Sequence, residues 1–199
     1  MSKYIRSKFL VSLLACAFLL PVAYADFDNG FAAYEKQDYT TALKEFRASA
    51  EQGDAYAQVS VGLMYANGEG VPQDYREAVV WFRKAAEQGN VIAQFNLAVM
   101  YDKGQGVPQD YREAVVWYRK AAEQGHASAQ NNVGVMYEYG DNVAKNPVIA
   151  YALYNLSVAA GNEKARSSRD RVAEKLSSKQ LAQGQALSLK WKVGDPLPR

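Results

Sequence analysis

Few side chains in this 199-residue chain could carry out chemistry. The chain has one histidine, His126, and one cysteine, Cys16, so a metal site built from several such ligands cannot form. His126 lies 36 residues after Asn90 and 36 residues before Asn162. Asparagine is typical of the residue that caps a helix N-terminus. We therefore expect His126 to cap a helix rather than to act as a catalytic base.

Other patterns with catalytic associations have structural explanations here. The glycine pairs Gly68/Gly70 and Gly104/Gly106 lack the third glycine of a dinucleotide-binding loop, and each follows a predicted helix. Carboxylates recur in a regular register, so no isolated acid pair suits glycoside hydrolysis. The strings Ser-x-x-Lys and Lys-Thr-Gly, typical of enzymes that hydrolyse β-lactams, are absent. The sequence predicts no catalytic residue, no cofactor and no metal.

An internal repeat determines which elements position these residues. Residues 74–89 read DYREAVVWFRKAAEQG and residues 110–125 read DYREAVVWYRKAAEQG, identical at 15 of 16 positions with an offset of 36. A fixed period of this length indicates a stack of units, each burying its apolar side against its neighbours. We predict an all-α fold of antiparallel helix pairs with 36-residue repeats.

Each unit has clear signals where helices begin and end. Asp74 can accept from first-turn amides, and Glu77 three residues later completes a capping-box pattern. Gly89 can adopt the left-handed conformation that ends a helix. The signals predict helices near 27–36, 38–52, 54–67, 74–88, 90–103, 110–124, 126–139, 146–160, 162–175 and 177–191.

Aromatic and charged residues of the repeats have structural interpretations. Trp81, Phe82 and Tyr65, with Trp117, Tyr118 and Tyr101 one repeat later, are expected in the core and between repeats. Arg83, Lys84 and Glu87 are expected on a solvated helix face.

The first 25 residues have the composition of a signal peptide. Lys3, Arg6 and Lys8 precede an apolar run over 9–23, and Ala23-Tyr24-Ala25 is a cleavage pattern. Cleavage after it would lower 23 basic residues to 20 against 21 acidic residues, a net charge of −1. The mature chain has no basic stripe, so we expect no nucleic-acid partner.

Two alternatives for this leader stay open. The run Leu13-Leu14-Ala15-Cys16 resembles a lipobox, which would anchor the chain through acylated Cys16. The apolar segment could also stay uncleaved as a membrane anchor. Membrane contact is thus expected only through the signal peptide or lipidation at Cys16. We expect export to the periplasm or the extracellular space.

The repeats resemble the Sel-1-like repeat family, a branch of the tetratricopeptide superfamily. The family pattern is A-x-x-x-L-G-x-x-Y-x-x-G-x-G-V-x-x-D-x-x-x-A-x-x-W-x-x-x-A-A-x-x-G. One copy matches it at Ala57, Val61, Gly62, Tyr65, Gly68, Gly70, Val71, Asp74, Ala78, Trp81, Ala85, Ala86 and Gly89. The next matches it at Ala93, Leu97, Tyr101, Gly104, Gly106, Val107, Asp110, Ala114, Trp117, Ala121, Ala122 and Gly125. A third copy is weaker, and Asn142 replaces its second loop glycine.

This resemblance implies a right-handed α-solenoid and a role as adaptor or scaffold for other proteins. It also suggests a division of the chain. The segments are a signal peptide at 1–25, a tetratricopeptide-like half-unit at 26–53, repeats at 54–89, 90–125 and 126–161, and C-terminal capping helices with a tail at 162–199.

In tetratricopeptide-like stacks the first helix of each pair lines a concave groove. Aligning Gly62, Ala98 and Gly134 with the small residue of the superfamily predicts which side chains face that groove. They are Tyr56, Val59, Leu63, Asn67, Ile92, Phe95, Val99, Lys103, Ser128, Asn131, Val135 and Tyr139. An apolar strip with a polar rim suits a helix or an extended peptide.

We therefore expect a non-enzymatic protein-interaction scaffold of the bacterial envelope or secreted space. It would bind a segment of a protein or peptide partner in the groove. One alternative is a hydrolase acting on cell-wall or β-lactam substrates, which a groove containing His126 beside clustered carboxylates would favour. Some secreted relatives are linked to β-lactamase activity, but the absent strings do not support that activity here. Another is a lipid-anchored outer-membrane assembly factor.

Overall fold

The computed structural model describes residues 22–197, and this part of the chain forms helices without any strand. The helices are α1 Val22–Glu35, α2 Tyr39–Glu51, α3 Ala55–Asn67, α4 Tyr75–Glu87, α5 Val91–Lys103, α6 Tyr111–Glu123, α7 Ala127–Tyr139, α8 Pro147–Ala159, α9 Lys164–Ala173 and α10 Ser178–Lys190. All predicted helix limits agree within two residues except the start of α1. Most of the predicted signal peptide, including Cys16, lies outside the described residues.

Polar caps set the helix starts, as the sequence predicts. The Asp74 carboxylate accepts from the amides of Arg76 and Glu77 at 2.8 and 3.3 Å. The His126 side chain occupies the corresponding place at α7, where its Nδ1 accepts from the Ala129 amide at 3.2 Å. Because a cap satisfies amides that have no partner within the helix, such residues locate the starts of α2 to α8 and of α10. Helix α9 differs, because its first flanking residue is Glu163, whose side chain makes no capping bond, and not Asn162. The capping role of His126 is confirmed.

Helices adjacent in sequence pack against each other from α1 to α9, which produces the stack of hairpins. Small residues let the paired helices approach closely. At Gly62 an added Cβ would lie 2.7 Å from the Phe82 ring, and at Gly134 it would lie 2.8 Å from the Tyr154 ring. The aromatic ring of each second helix therefore rests on the backbone of the first. Ala98 replaces glycine in the middle repeat and brings a methyl group to this contact.

The loops within hairpins contact the preceding repeat. A Cβ on Gly106 would lie 2.1 Å from the Tyr75 carbonyl oxygen, and one on Gly70 would lie 2.6 Å from the Tyr39 oxygen. Such backbone contact has no space for a side chain. Asn142 stands at the same register with φ 57°, the left-handed conformation that asparagine tolerates.

The C-terminal segment ends the stack in a way that the sequence does not predict. Helix α10 packs on α8. The tail then returns to α6, where the Gly194 amide donates to the Glu123 carbonyl at 2.7 Å and Arg119 donates to the Leu197 carbonyl at 3.2 Å. Leu197 is 2% exposed, so the tail contributes to the core.

The tryptophans lie in the core as predicted: Trp81 is 6% and Trp117 is 7% exposed. The Lys84 Nζ lies over the Trp81 ring at 4.2 Å from its centroid, so its ammonium makes a cation–π contact and is not simply solvated. Within residues 22–197, no helix combines the length and hydropathy needed to cross a membrane.

Candidate protein-binding surface

Helices α3, α5 and α7 are the first helices of their pairs, and each has one side that the other described residues leave exposed. We call these uncovered sides together the first-helix face. Large side chains project from it at both ends and in the middle: Tyr56 is 64%, Ile92 is 42% and Tyr139 is 58% exposed. The face therefore offers apolar and aromatic area to solvent.

The structure places most of the twelve predicted groove residues on this face. Seven are exposed: Tyr56, Leu63, Asn67, Ile92, Lys103, Ser128 and Tyr139. Four are half-buried: Phe95, Val99, Asn131 and Val135. Val59 does not belong to the accessible row, because it is 5% exposed and packs in the core beneath it.

Phe95 is held in place by two rings from neighbouring helices. Its ring stacks on His126 with centroids 4.4 Å apart and planes 22° apart, and it lies 5.8 Å from the Tyr118 ring. Burial lowers the pKa of His126, which favours the neutral ring that can accept a hydrogen bond at Nδ1. His126 thus serves a cap and an aromatic contact.

A cleft of about 480 Å³ opens between α5, α6 and α7. Its lining residues are Asp102, Tyr111, Tyr118, Asn132, Val135, Met136, Asp141 and Asn142. Val135 is the only one of these that belongs to the predicted groove row. The volume lies within the range of about 300–1,000 Å³ that is typical of ligand sites.

Asn142, which lines the cleft, distinguishes the loop at this boundary from the two earlier loops. The two earlier loops carry glycine at its register and rest on the backbone at the start of a preceding helix. Asn142 has a Cβ, for which the equivalent contacts at Gly70 and Gly106 leave no space. Tyr111, at that start, is 46% exposed, whereas Tyr39 and Tyr75 at the equivalent positions are half-buried.

The deepest polar group of the cleft is a phenol beside a carboxylate. Tyr118 is 1% exposed, and its hydroxyl donates to Asp102 Oδ2 at a long 3.4 Å. Burial raises the pKa of Tyr118, and the negative charge of Asp102 adds to this effect. The phenol therefore stays protonated and available as a donor at neutral pH.

The sequence contains a signal for this pair that our interpretation missed. Tyr118 lies 16 residues after Asp102, and Tyr154 lies 16 residues after Glu138, to which it donates at 2.8 Å. In the first repeat the same spacing joins two apolar residues, Ala66 and Phe82. In these three repeats, a tyrosine at the later position therefore always accompanies a carboxylate at the earlier position.

Arginines of the second helices connect successive repeats. Arg47 donates to the Tyr65 hydroxyl, Arg83 to that of Tyr101, and Arg119 to that of Tyr137. The expectation that Arg83 is simply solvated is therefore wrong. That expectation came from the spacing of residues within one helix. Arg83 and Tyr101 are 18 residues apart and lie on different helices, so this spacing does not reveal their contact.

Buried glutamines form a second connection between repeats. Gln94 donates to the Ala86 carbonyl at 3.3 Å and accepts from Gln124 at 2.7 Å. Gln130 donates in the same way to the Ala122 carbonyl at 3.2 Å. Its own Oε1 has no hydrogen-bond partner among residues 22–197, because Ala160 occupies the register of Gln124.

No group of three or more His, Cys, Asp or Glu side chains suited to a metal occurs in the part of the chain that the structure describes.

Comparisons with known proteins agree on one family. A model described as Sel1 repeat matches residues 55–90, 91–126 and 127–162. A Sel1 repeat protein from Oxalobacter formigenes is 30% identical, with a TM-score of 0.72 over 81% of this chain and 68% of its own. A protective antigen present in uropathogenic Escherichia coli strains, displaying an SLR fold, is 30% identical, with a TM-score of 0.60 over 85% of this chain. This chain spans 45% of that antigen's length. No curated protein gives a significant sequence match.

Proposed function

The chain belongs to the Sel1 repeat family, and on this basis we propose that it is a non-enzymatic adaptor that binds a segment of another protein along its first-helix face. Proteins of this fold generally act as scaffolds for protein–protein interaction. The family therefore supports protein partners in general. That they bind at the first-helix face is our proposal.

The uncovered apolar side chains of α3, α5 and α7 carry the proposal. Tyr56, Ile92 and Tyr139 are each more than 40% exposed on helices whose opposite sides are packed. Phe95 and Val135 belong to the same set of helices, are half-buried and would supply pockets. Aromatic side chains over partly buried apolar ones suit the central contacts of an interface.

We also propose that the chain is exported and acts in the bacterial envelope or the secreted space. The basic and apolar leader supports this. Cleavage after Ala25 would remove the first four residues of α1 and leave Asp26 as the N-terminus. Mass spectrometry of the mature protein should find Asp26. An acylated Cys16 would instead support the lipid-anchored alternative.

Photo-crosslinking tests the choice of face. Benzoylphenylalanine at Ile92 is expected to capture a protein partner in the cells that produce the chain. The same group at Val116 of α6, a second helix, is the matched control, because Val116 is 45% and Ile92 is 42% exposed. Equal capture from both positions, or capture from Val116 alone, would contradict the proposal.

A further inference from the structure

One boundary between repeats contains an arginine bound to a carboxylate of the chain itself. Arg171 of α9 donates from Nε to Glu138 Oε1 at 3.1 Å and from Nη2 to Glu138 Oε2 at 2.8 Å. The Tyr154 hydroxyl donates to the same Oε2 at 2.8 Å. Two parallel hydrogen bonds and a phenol form a specific site for a planar guanidinium.

The Glu138 site is built for a charged partner. Burial raises the pKa of Glu138, but the hydrogen bonds from Arg171 and Tyr154 outweigh that effect, and the net pKa is lowered. The carboxylate is therefore ionised while it holds the arginine. Its side chain is 8% exposed, so the ion pair lies mostly out of water on the carboxylate side.

The same registers one repeat earlier hold two of these three groups. Positions 36 residues before Glu138, Tyr154 and Arg171 are Asp102, Tyr118 and Val135. All three of those earlier residues line the cleft between α5, α6 and α7. The carboxylate and the phenol are kept there, whereas valine takes the place of the arginine.

The first repeat shows the apolar form of these registers. It has Ala66, Phe82 and Val99, none of which is polar. The cleft is therefore an intermediate form, with the polar groups present and the cation absent.

The cleft carries uncompensated negative charge. Among the described residues Asp102 forms no ion pair, and the hydrogen bond that it accepts from Tyr118 is 3.4 Å long, against 2.8 Å at the filled site. The Asp141 side chain adds a second carboxylate to the lining. The exposed ring of Tyr111 offers a flat surface on which a guanidinium can stack.

We propose that this cleft binds the guanidinium of an arginine that belongs to the partner protein's segment. The Asp102 carboxylate accepts its N–H groups, as Glu138 accepts those of Arg171, and the aliphatic stem lies along Val135. The proposal rests on the proposed function, because the arginine arrives as part of a segment bound on the first-helix face. It adds a chemical requirement to that segment.

Amide chemical shifts of the ¹⁵N-labelled protein test the recognition step without the partner. N-acetyl-arginine amide should cause saturable shifts at Tyr118, Asn132 and Val135. N-acetyl-citrulline amide has the same shape without the charge, and N-acetyl-lysine amide has charge without the planar fork. Both should bind about tenfold more weakly, as the loss of charged hydrogen bonds predicts. Equal binding of either compound would overturn the proposal.

Two variants place the binding on the named groups. Asp102→Asn should weaken binding of the arginine amide about tenfold, whereas Glu87→Gln, which alters an exposed carboxylate of α4, should leave it unchanged. Val135→Arg should put the chain's own guanidinium on Asp102 and abolish the shifts. Wild-type binding by folded Asp102→Asn, or by folded Val135→Arg, would overturn the proposal.

The outcome is separable from that of the crosslinking experiment. Partner capture from Ile92 does not depend on Asp102. If capture occurs and the arginine amide does not bind, the arginine requirement is wrong and the proposed function stands. If the arginine amide binds and capture from Ile92 fails, the cleft recognises a guanidinium, but the proposal that a segment on the first-helix face delivers it is wrong.

Discussion

Gln130 shows what a single missing partner does within a regular stack. Gln58 and Gln94, at its register, each accept a hydrogen bond from a glutamine at the end of the following second helix. Ala160 cannot provide that bond, so the Gln130 side chain, at 1% exposure, keeps an acceptor without a partner in the part of the chain that the structure describes. A buried polar atom of this kind lowers stability by the free energy of its lost hydration.

We expect Ala160→Gln to stabilise the fold. The backbone of Ala160, with φ −84° and ψ 11°, is close to that of Gln124, with φ −88° and ψ 8°, so the new side chain can reach Gln130 Oε1 in the same way. The gain in the free energy of unfolding should be about 0.5–1.5 kcal/mol. Urea denaturation followed by circular dichroism measures it as a higher midpoint at an unchanged slope.

Ala160→Met is the control for this variant, since methionine matches glutamine in length but has no donor. It should leave the midpoint nearly unchanged. A gain as large as that of Ala160→Gln would mean that added apolar contact, and not the hydrogen bond, stabilises the fold.

His126 makes the fold sensitive to mild acid. Burial lowers its pKa in the folded state, so below the ordinary histidine pKa of about 6.5 the unfolded chain binds a proton more readily than the folded chain. Its contribution to stability is complete above that pKa and is lost as the pH falls through the folded-state value. Protonation of Nδ1 also removes the acceptor of the Ala129 amide.

Substituting His126→Asn should remove this dependence, because asparagine caps α5 at the same register without titrating. Unfolding free energies at pH 7 and pH 5 should differ less in the variant than in the wild type. Glu138 contributes its own acid sensitivity, but only below its ordinary pKa of 4.5. An equal loss between pH 7 and pH 5 in both proteins would assign the effect to other groups.

At the scale of elements, glycines in the loops determine how closely one hairpin approaches the next. Gly106 and Gly89 both have positive φ, 73° and 90°. They differ in surroundings, because a Cβ on Gly106 would lie 2.1 Å from the Tyr75 carbonyl oxygen, whereas one on Gly89 would meet nothing within 4 Å. Comparing alanine variants at Gly89 and Gly106 therefore distinguishes the cost of backbone strain from the cost of disturbing the contact between repeats.

Gly89→Ala should cost about 1–2 kcal/mol of unfolding free energy, the strain of a left-handed alanine. Gly106→Ala should cost about 1–3 kcal/mol more, since the clash is with backbone that cannot rotate away. Urea denaturation of the two variants gives the comparison. Equal losses would show that the loop does not press on the start of α4.

The helices themselves could be predicted because their signals are local. Caps such as Asp74, glycine stops such as Gly89 and the apolar period each act within one or two turns, and they define helix limits almost to the residue. The bond from Arg83 to Tyr101 joins different helices, so helical periodicity does not reveal it. The cleft is lined by side chains of three helices and the loop after α7, so only the packed structure reveals it.

At the scale of the whole molecule, the repeat period predicts how hairpins stack but not how the stack ends. Leu197 fills a place beside α6, and its amide donates to the Glu123 carboxylate, 74 residues away in sequence, at 3.1 Å. The 36-residue pattern contains no counterpart of this contact. The tail's hydrogen bonds to Arg119 and Glu123 involve a second helix, whereas the exposed row lies on the first helices.

Calorimetric titration of a partner captured through Ile92 tests the central claim, that the first-helix face binds another polypeptide. Ile92→Asp should weaken binding at least about tenfold, because it places a charge in an apolar contact. Val116→Asp, at nearly the same exposure on a second helix, should bind within about twofold of the wild type. Undiminished affinity of a folded Ile92→Asp variant, or an equal loss with Val116→Asp, would contradict the claim.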